Sequence, residues 1–222
     1  MAVQTHDLTA ESVRNILQKN QNLLAVSKLQ PKEKIIQLCN AGQIHFGENY
    51  VQEATDKIEQ LAHLNLKWHL IGPLQKNKVK YLKNKFEYIH SVDSLELAEL
   101  ISKKSVEINY VQKIFLQVNL SGETSKSGFT EFELDQKWPE LKNLLGIDIC
   151  GLMTMPPLQN NADENRIYFK KCFDLGKKLN LNEFSMGTSH DYEIALSEGA
   201  TWIRLGTILF GERQKNDSPP TA

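Results

Sequence analysis

Short apolar runs alternate with longer amphipathic ones along this chain, and no other feature narrows its possible folds as much. An apolar run of roughly 4–8 residues suits a buried strand, and a longer run with apolar residues every three or four suits a helix lying on a sheet. Strands are expected at residues 23–27, 44–47, 68–71, 88–91, 114–119 and 147–152, with two more ending at Ser185 and Arg204. Helices are expected at 8–20, from Pro31 to Gly42, at 50–62 and 75–84, after a cap at Asp93 or Ser94, and at 131–144, 163–179 and 190–198. Ile35, Ile36, Leu38 and Cys39 share one helix face, and Tyr168, Cys172, Leu175 and Leu179 form a stripe on another. Gly42 and Gly199 are C-terminal stops. Each strand but the last is followed by a helix, and the leading helix can stand in for the missing one. This pattern predicts an α/β fold, a single-domain (β/α)8 barrel of the TIM type, with an open doubly wound sheet as the alternative. Residues 1–213 read as one domain and the polar, Pro-rich residues 214–222 as a frayed tail.

Composition removes several classes of function. The net charge of −1, from 26 basic and 27 acidic residues, argues against a dedicated nucleic-acid binder. No apolar run reaches the roughly 18 residues that span a bilayer, and the N-terminus lacks the pattern of a secretory signal. Cys39, Cys150 and Cys172 make neither a disulfide framework nor a metal pattern. They read as small buried hydrophobes in a protein of the reducing cytoplasm.

In a barrel of this kind the working residues stand at the C-terminal ends of the strands. That rule selects Lys28, Glu48 and Asn49, Gly72, Ser91, Asn119, Met153, Ser185 and Arg204. Two strand ends carry small polar turns of one design, Phe184-Ser185-Met186-Gly187-Thr188-Ser189 and Trp202-Ile203-Arg204-Leu205-Gly206-Thr207. After neighbouring parallel strands, such turns would aim amides and hydroxyls at one anion, most simply a phosphate. Arg204 can address another part of the same ligand. Inside the run WIRLGTILF it is costly unless paired, and a structural ion pair with Asp191 or Glu198 is the other reading. Lys28 closes the apolar run NLLAVSK, where burial favours the neutral amine that attacks carbonyls. A lysine beside a phosphate cradle suggests a Schiff base with a phosphorylated aldehyde, pyridoxal 5′-phosphate (PLP) first among them. A barrel for another phosphorylated metabolite, with Lys28 incidental, stays open.

Other features divide between structure and function. His69 faces either the lumen or the core, and His45, His63 and His90 read as structural or solvated. No spacing indicates a metal site. Lys76, Lys78, Lys80, Lys83 and Lys85 form a basic run, either a solvated face or an attraction for an anionic partner. The small polar segment 121–128 is either a lid over the barrel mouth or an exposed loop.

Taken together, the motifs AVSK (25–28), FGENYVQE (46–53), WHLIGPLQKNK (68–78), HSVD (90–93), QVNLSGETSKSGF (117–129), GLMTM (151–155), SMGTSHDYEIA (185–195) and RLGTILFG (204–211) resemble the pyridoxal phosphate homeostasis protein family from residue 23 to 213. The resemblance implies a barrel of the alanine racemase N-terminal domain type, PLP fold type III, with PLP as a Schiff base on Lys28. It implies phosphate contacts from Ser185, Gly187, Ser189, Gly206 and Thr207, Arg204 near the pyridine nitrogen, and Asn49 and Asn119 in the pocket wall. Thr188 departs from the methionine more usual in the family and would add a hydroxyl near the phosphate. The implied role is a carrier or regulator in vitamin B6 homeostasis without turnover. Its partners would be PLP, apo PLP enzymes or amino-acid ligands, and its state a monomer or weak homodimer. An alanine racemase has a second domain and a tyrosine acid/base, which this chain is expected to lack, leaving one side of the cofactor open. The rival from another class is a small PLP-dependent amino-acid racemase-like enzyme that uses the same lysine.

Overall fold

Every predicted apolar run forms a strand. In the computed structural model, which describes residues 9–82, 84–157 and 159–211, these are β1 (Asn22–Val26), β2 (His45–Glu48), β3 (Lys67–Leu70), β4 (Tyr88–Val92), β5 (Gln112–Val118), β6 (Ile147–Thr154), β7 (Glu183–Ser185) and β8 (Trp202–Leu205). They pair in parallel in chain order and close into a barrel. Closure leaves no edge strand, which disposes of the open-sheet alternative. The closing register sets Leu24 opposite Arg204 and Ala25 opposite Leu205.

Helices α1 (Ala10–Ile16), α2 (Lys32–Asn40), α3 (Val51–Gln60), α4 (Leu95–Glu107), α5 (Glu131–Leu141), α6 (Ala162–Lys178), α7 (Tyr192–Ser197) and α8 (Thr207–Phe210) surround the strands. Local chemistry fixes several starts. Ser94 caps α4 by accepting from the Leu97 amide, while Thr130 with Glu133 and Asn161 with Glu164 form capping boxes. Gly199, at φ +92°, ends α7 under the ring of Phe173.

Four expectations need correction. The segment 75–84 is not an α-helix. Its buried apolar residues, Val79 and Leu82, are three apart, and Lys76–Tyr81 winds as a 3-10 helix, in which i and i+3 eclipse. The last strand does have a helix after it, the single turn α8. The leading helix is shorter than expected and packs on β1, burying Ala10 and Val13; Leu8, its expected start, lies outside the described residues, as do the tail 214–222 and Lys83. Of the cysteines only Cys172 is buried, and Cys39 and Cys150 are half-buried. No helix among the described residues is long and apolar enough to cross a membrane.

The core has two layers. A large one lies between strands and helices, and a smaller one fills the lumen with Leu24, Tyr88, Phe115, Met153 and Trp202. Phe169 of α6 is fully buried in the outer layer, whereas Phe132 of α5 is 73% exposed. Phe169→Ala is therefore expected to lower unfolding free energy by about 3–5 kcal/mol, and Phe132→Ala to change it by less than about 0.5 kcal/mol. Urea denaturation of the two variants, with similar losses for both, would contradict this assignment of the core.

Candidate functional site

Strand direction puts the C-terminal ends of all eight strands at one mouth of the barrel. Lys28 and Asn49 follow β1 and β2, Gly187 and Ser189 follow β7, and Gly206 and Thr207 follow β8. Because β7, β8, β1 and β2 are consecutive around the closed barrel, these residues share one arc of the mouth. Asn119, after β5, stands on the opposite arc.

The two polar turns differ in backbone. Gly187 has φ +91°, and a Cβ there would lie 2.5 Å from the Ala195 Cβ, so only glycine fits beneath α7. Gly206 has no positive φ, and a Cβ there would meet Val26 at an ordinary 3.6 Å. What they share is unused donors. The Ser189 hydroxyl and the amides of Ser189, Thr207 and Ile208 have no hydrogen-bond partner among the described residues. Donors of this kind suit an anion. Thr188 contributes no such group, because its hydroxyl bonds Asp191 at 3.0 Å and contacts His190.

Arg204 points into the lumen above Trp202, two residues earlier on the same face of β8. It is 5% exposed and donates to the Ser185 hydroxyl at 2.8 Å and to the Thr154 carbonyl at 3.1 Å. Burial lowers its pKa to about 10, and the carboxylate of Asp191 opposes the fall. The ion pairs of the alternative reading are not formed. Asp191 accepts from Asn165 and from Thr188, and Glu198 pairs with Arg166. The hydroxyl of Ser185, a residue expected at the phosphate, is fully buried and bonded to His90 and Arg204.

A second buried group holds the turn that carries Lys28. Glu48 faces outward from β2 into the helical layer, not into the mouth as the strand-end rule suggested. Lys57 of α3 donates to the Ser27 carbonyl at 2.7 Å, to Glu48 Oε1 at 2.8 Å and to Glu53 Oε1 at 2.7 Å. Glu53 Oε1 also accepts from the Leu29 amide at 2.6 Å, and Leu29 adopts a left-handed φ of +59°. The residues on both sides of Lys28 are thus tied to α3. Asn49 runs beside Gly72 so closely that a Cβ at position 72 would lie 2.3 Å from the Asn49 carbonyl oxygen, and Ser91 donates to the Gly72 carbonyl. Asn119 spends its side chain on segment 121–128, donating to the Glu123 and Lys126 carbonyls and accepting from Ser121 and Gly122.

Sequence reasoning missed Lys57 and Glu53, which stand in a helix and carry no strand-end signal. It also left His45 and His90 aside. Both face the lumen, where they flank His69 within hydrogen-bonding distance. Their signal was a histidine in each of three successive strand runs, but its meaning needed the register.

Comparison with known proteins agrees with the fold. The family model for the N-terminal domain of alanine racemase matches residues 9–214. The chain is 43% identical over 198 residues to a pyridoxal phosphate homeostasis protein of Aquifex aeolicus, covering 86% of this chain and 87% of that one. For the protein of that name in Pseudomonas aeruginosa the identity is 42% over 193 residues, covering 86% and 84%. The solved structure of PipY from Synechococcus elongatus with PLP bound has a TM-score of 0.86 and 41% identity, covering 90% of this chain and 97% of that one. An alanine racemase of Clostridium difficile, 16% identical, has a TM-score of 0.72 over 93% of this chain and 56% of its own, a likeness of fold.

Burial raises the Glu48 carboxyl to about 7, against the attraction of Lys57, from an ordinary value of 4.5. Ser27 and Lys57 both bond Oε1, and the buried Oε2 has no partner among the described residues, which leaves it as the place for a proton. A raised pKa means that the folded protein holds this proton after the unfolded chain has lost it. The contribution of Glu48 to stability is therefore complete below pH 4.5 and falls as pH rises to about 7. Removing the titration with Glu48→Gln is expected to make stability rise more steeply with pH across that window than in the parent protein. Matched urea titrations at several pH values would show it, and identical slopes would refute the assignment.

Proposed function

Because this chain belongs to the alanine racemase N-terminal domain family, and within it to the pyridoxal phosphate homeostasis proteins, we propose that it binds PLP at the barrel mouth and serves vitamin B6 homeostasis. The observation that carries the reading is the arc of the mouth where Lys28 meets two turns of unused donors. Those residues fit the cofactor: the turns suit its phosphate and the lysine its aldehyde. When bound, PLP supplies an aldehyde that condenses with an amine and a ring that withdraws electrons.

In this reading Lys28 provides the amine, its Nζ forming the C=N bond while the aldehyde oxygen leaves as water. Ser189 and Thr207, with the backbone at Gly187 and Gly206, hold the phosphate. Arg204 faces the pyridine nitrogen, and Asn49 and Asn119 shape the wall. Ser185 belongs to Arg204 rather than to the phosphate. A guanidinium has no site for the ring's proton, so Arg204 disfavours a protonated ring and weakens it as an electron sink. That favours a carrier or regulator over a racemase-like enzyme using the same lysine. We further propose a single PLP-binding domain over residues 1–213, a cytoplasmic setting, a monomer or weak homodimer, and apo PLP enzymes or amino acids as partners.

Purified protein is expected to show a visible absorbance band, and borohydride to fix PLP covalently. Lys28→Ala should lose both, and an adduct that persists in the variant would rule out this lysine. Steady turnover of amino acids by the parent, abolished in Lys28→Ala, would establish the enzyme instead.

Ser189→Ala or Thr207→Val should each weaken PLP binding by about 1–2 kcal/mol, roughly 5- to 30-fold. Pyridoxal, which lacks the phosphate, should be nearly indifferent to both changes. Equal losses for the two ligands would move the phosphate elsewhere.

A further inference from the structure

The lumen holds a row of polar groups that cofactor binding does not by itself require. His45 Nδ1 lies 2.9 Å from His69 Nε2, His69 Nδ1 lies 2.9 Å from His90 Nε2, and His90 Nδ1 lies 2.7 Å from the Ser185 hydroxyl. Arg204 completes the row with its 2.8 Å bond to the same hydroxyl. The row runs from the first residue of β2 to the guanidinium near the mouth. His69 and His90 are fully buried. Tyr88 stacks on His69 at 5.0 Å between ring centroids, and Phe115 stacks on His90 at 4.4 Å, so neighbouring rings fix both planes.

Burial pushes His69 and His90 well below the ordinary histidine value and His45 to about 4, so all three are neutral near neutral pH. The charged groups acting on them are Lys67, Glu87 and Lys113 at the His45 end and Arg204 at the other. A neutral imidazole has one N–H and one bare nitrogen. Each link needs one proton, so the tautomer of any ring dictates that of the next. Only two patterns satisfy every link. If all three protons sit on Nε2, the Ser185 hydroxyl donates to His90, its oxygen accepts from Arg204, and each ring donates to the next toward His45. If all sit on Nδ1, the Ser185 oxygen receives both His90 and Arg204, and its own buried hydrogen has no acceptor among the described residues. The first pattern leaves only the His45 Nε2–H, on the half-buried ring at the end of the row, without a partner among the described residues, and no fully buried group unpaired.

We infer that His90, His69 and His45 form one coupled relay that positions Arg204. The relay sets the direction of the Ser185 hydroxyl, and the hydroxyl sets the guanidinium. These are positioning residues; they act on a ligand through Arg204. Their influence on PLP rests on the reading of Arg204 given above, whereas the coupling among the rings does not.

The test is NMR of the full-length protein with 15N-labelled histidine near neutral pH, first without PLP. The expected spectrum shows His45, His69 and His90 neutral with the proton on Nε2. Ser185→Ala should abolish the single-tautomer signature at His69 and His45, which residue 185 does not touch, and leave His63 unchanged. Ser185→Thr, which restores a hydroxyl, should restore the signature. A charged ring, mixed tautomers in the parent protein, or a His69 signal indifferent to Ser185→Ala in a folded variant would each overturn the relay. The parent spectrum decides even if a variant fails to fold. PLP is then added to the parent. A change at His90 and His69 extends the relay to the cofactor. Unchanged rings in a protein that passes the first test leave the relay standing and count against Arg204 as the cofactor contact.

Discussion

Pairing of the first strand with the last holds this molecule together. When β8 hydrogen-bonds to β1, Leu24 comes opposite Arg204, residues from the two ends of the chain. Without that closure the barrel would have two open edges and the lumen no wall between Leu24 and Trp202. The same pairing brings the turn that carries Lys28 beside the turn that begins at Gly206. Neither end of the chain contains the candidate site by itself; the closing seam brings its residues together.

The lumen then decides the chemistry at its top. A buried guanidinium would ordinarily be paired with a carboxylate. Here its hydrogen bonds go to a hydroxyl and a carbonyl, and Asp191 acts on it only as a nearby charge. Arg204 therefore keeps a positive field at the mouth that no directly bonded anion cancels. The lysine that follows β1 is arranged in the opposite manner. Its flanking residues are tied to a cluster of two carboxyl groups and one ammonium behind the sheet, whose charges cancel when Glu48 holds its proton, so the uncompensated positive group lies inside the barrel wall.

How far the sequence could be read depended on the range of the interaction. The eight strands were legible because burial on both faces writes a local apolar run, and the caps of α4 and α7 because their residue types act within one turn. The 3-10 helix at Lys76–Tyr81 was not, since its few apolar residues fit either helical period. Lys28, Arg204 and the two turns could be picked out from their places at strand ends. The partners of Arg204 could not, because Asp191 and Glu198 were near in sequence whereas Ser185 and Thr154 became near only through the order of the strands. The three histidines show the same limit. Each sits in its own strand, and only the stagger between neighbouring strands aligns them, with His69 opposite Gly47 and Tyr88 opposite His69.

One seam is shorter than the others. β7 has three residues and meets β8 in a single ladder pair, Ser185 with Trp202, extended by bonds from the Met186 amide to the Trp202 carbonyl and from the Arg204 amide to the Gly187 carbonyl. The turns after these two strands are the ones that present unused donors. An anion held from both sides, as proposed, would act there as a rivet, adding cross-strand links that the short ladder lacks. Occupancy of the mouth and mechanical integrity of the wall would then be one variable.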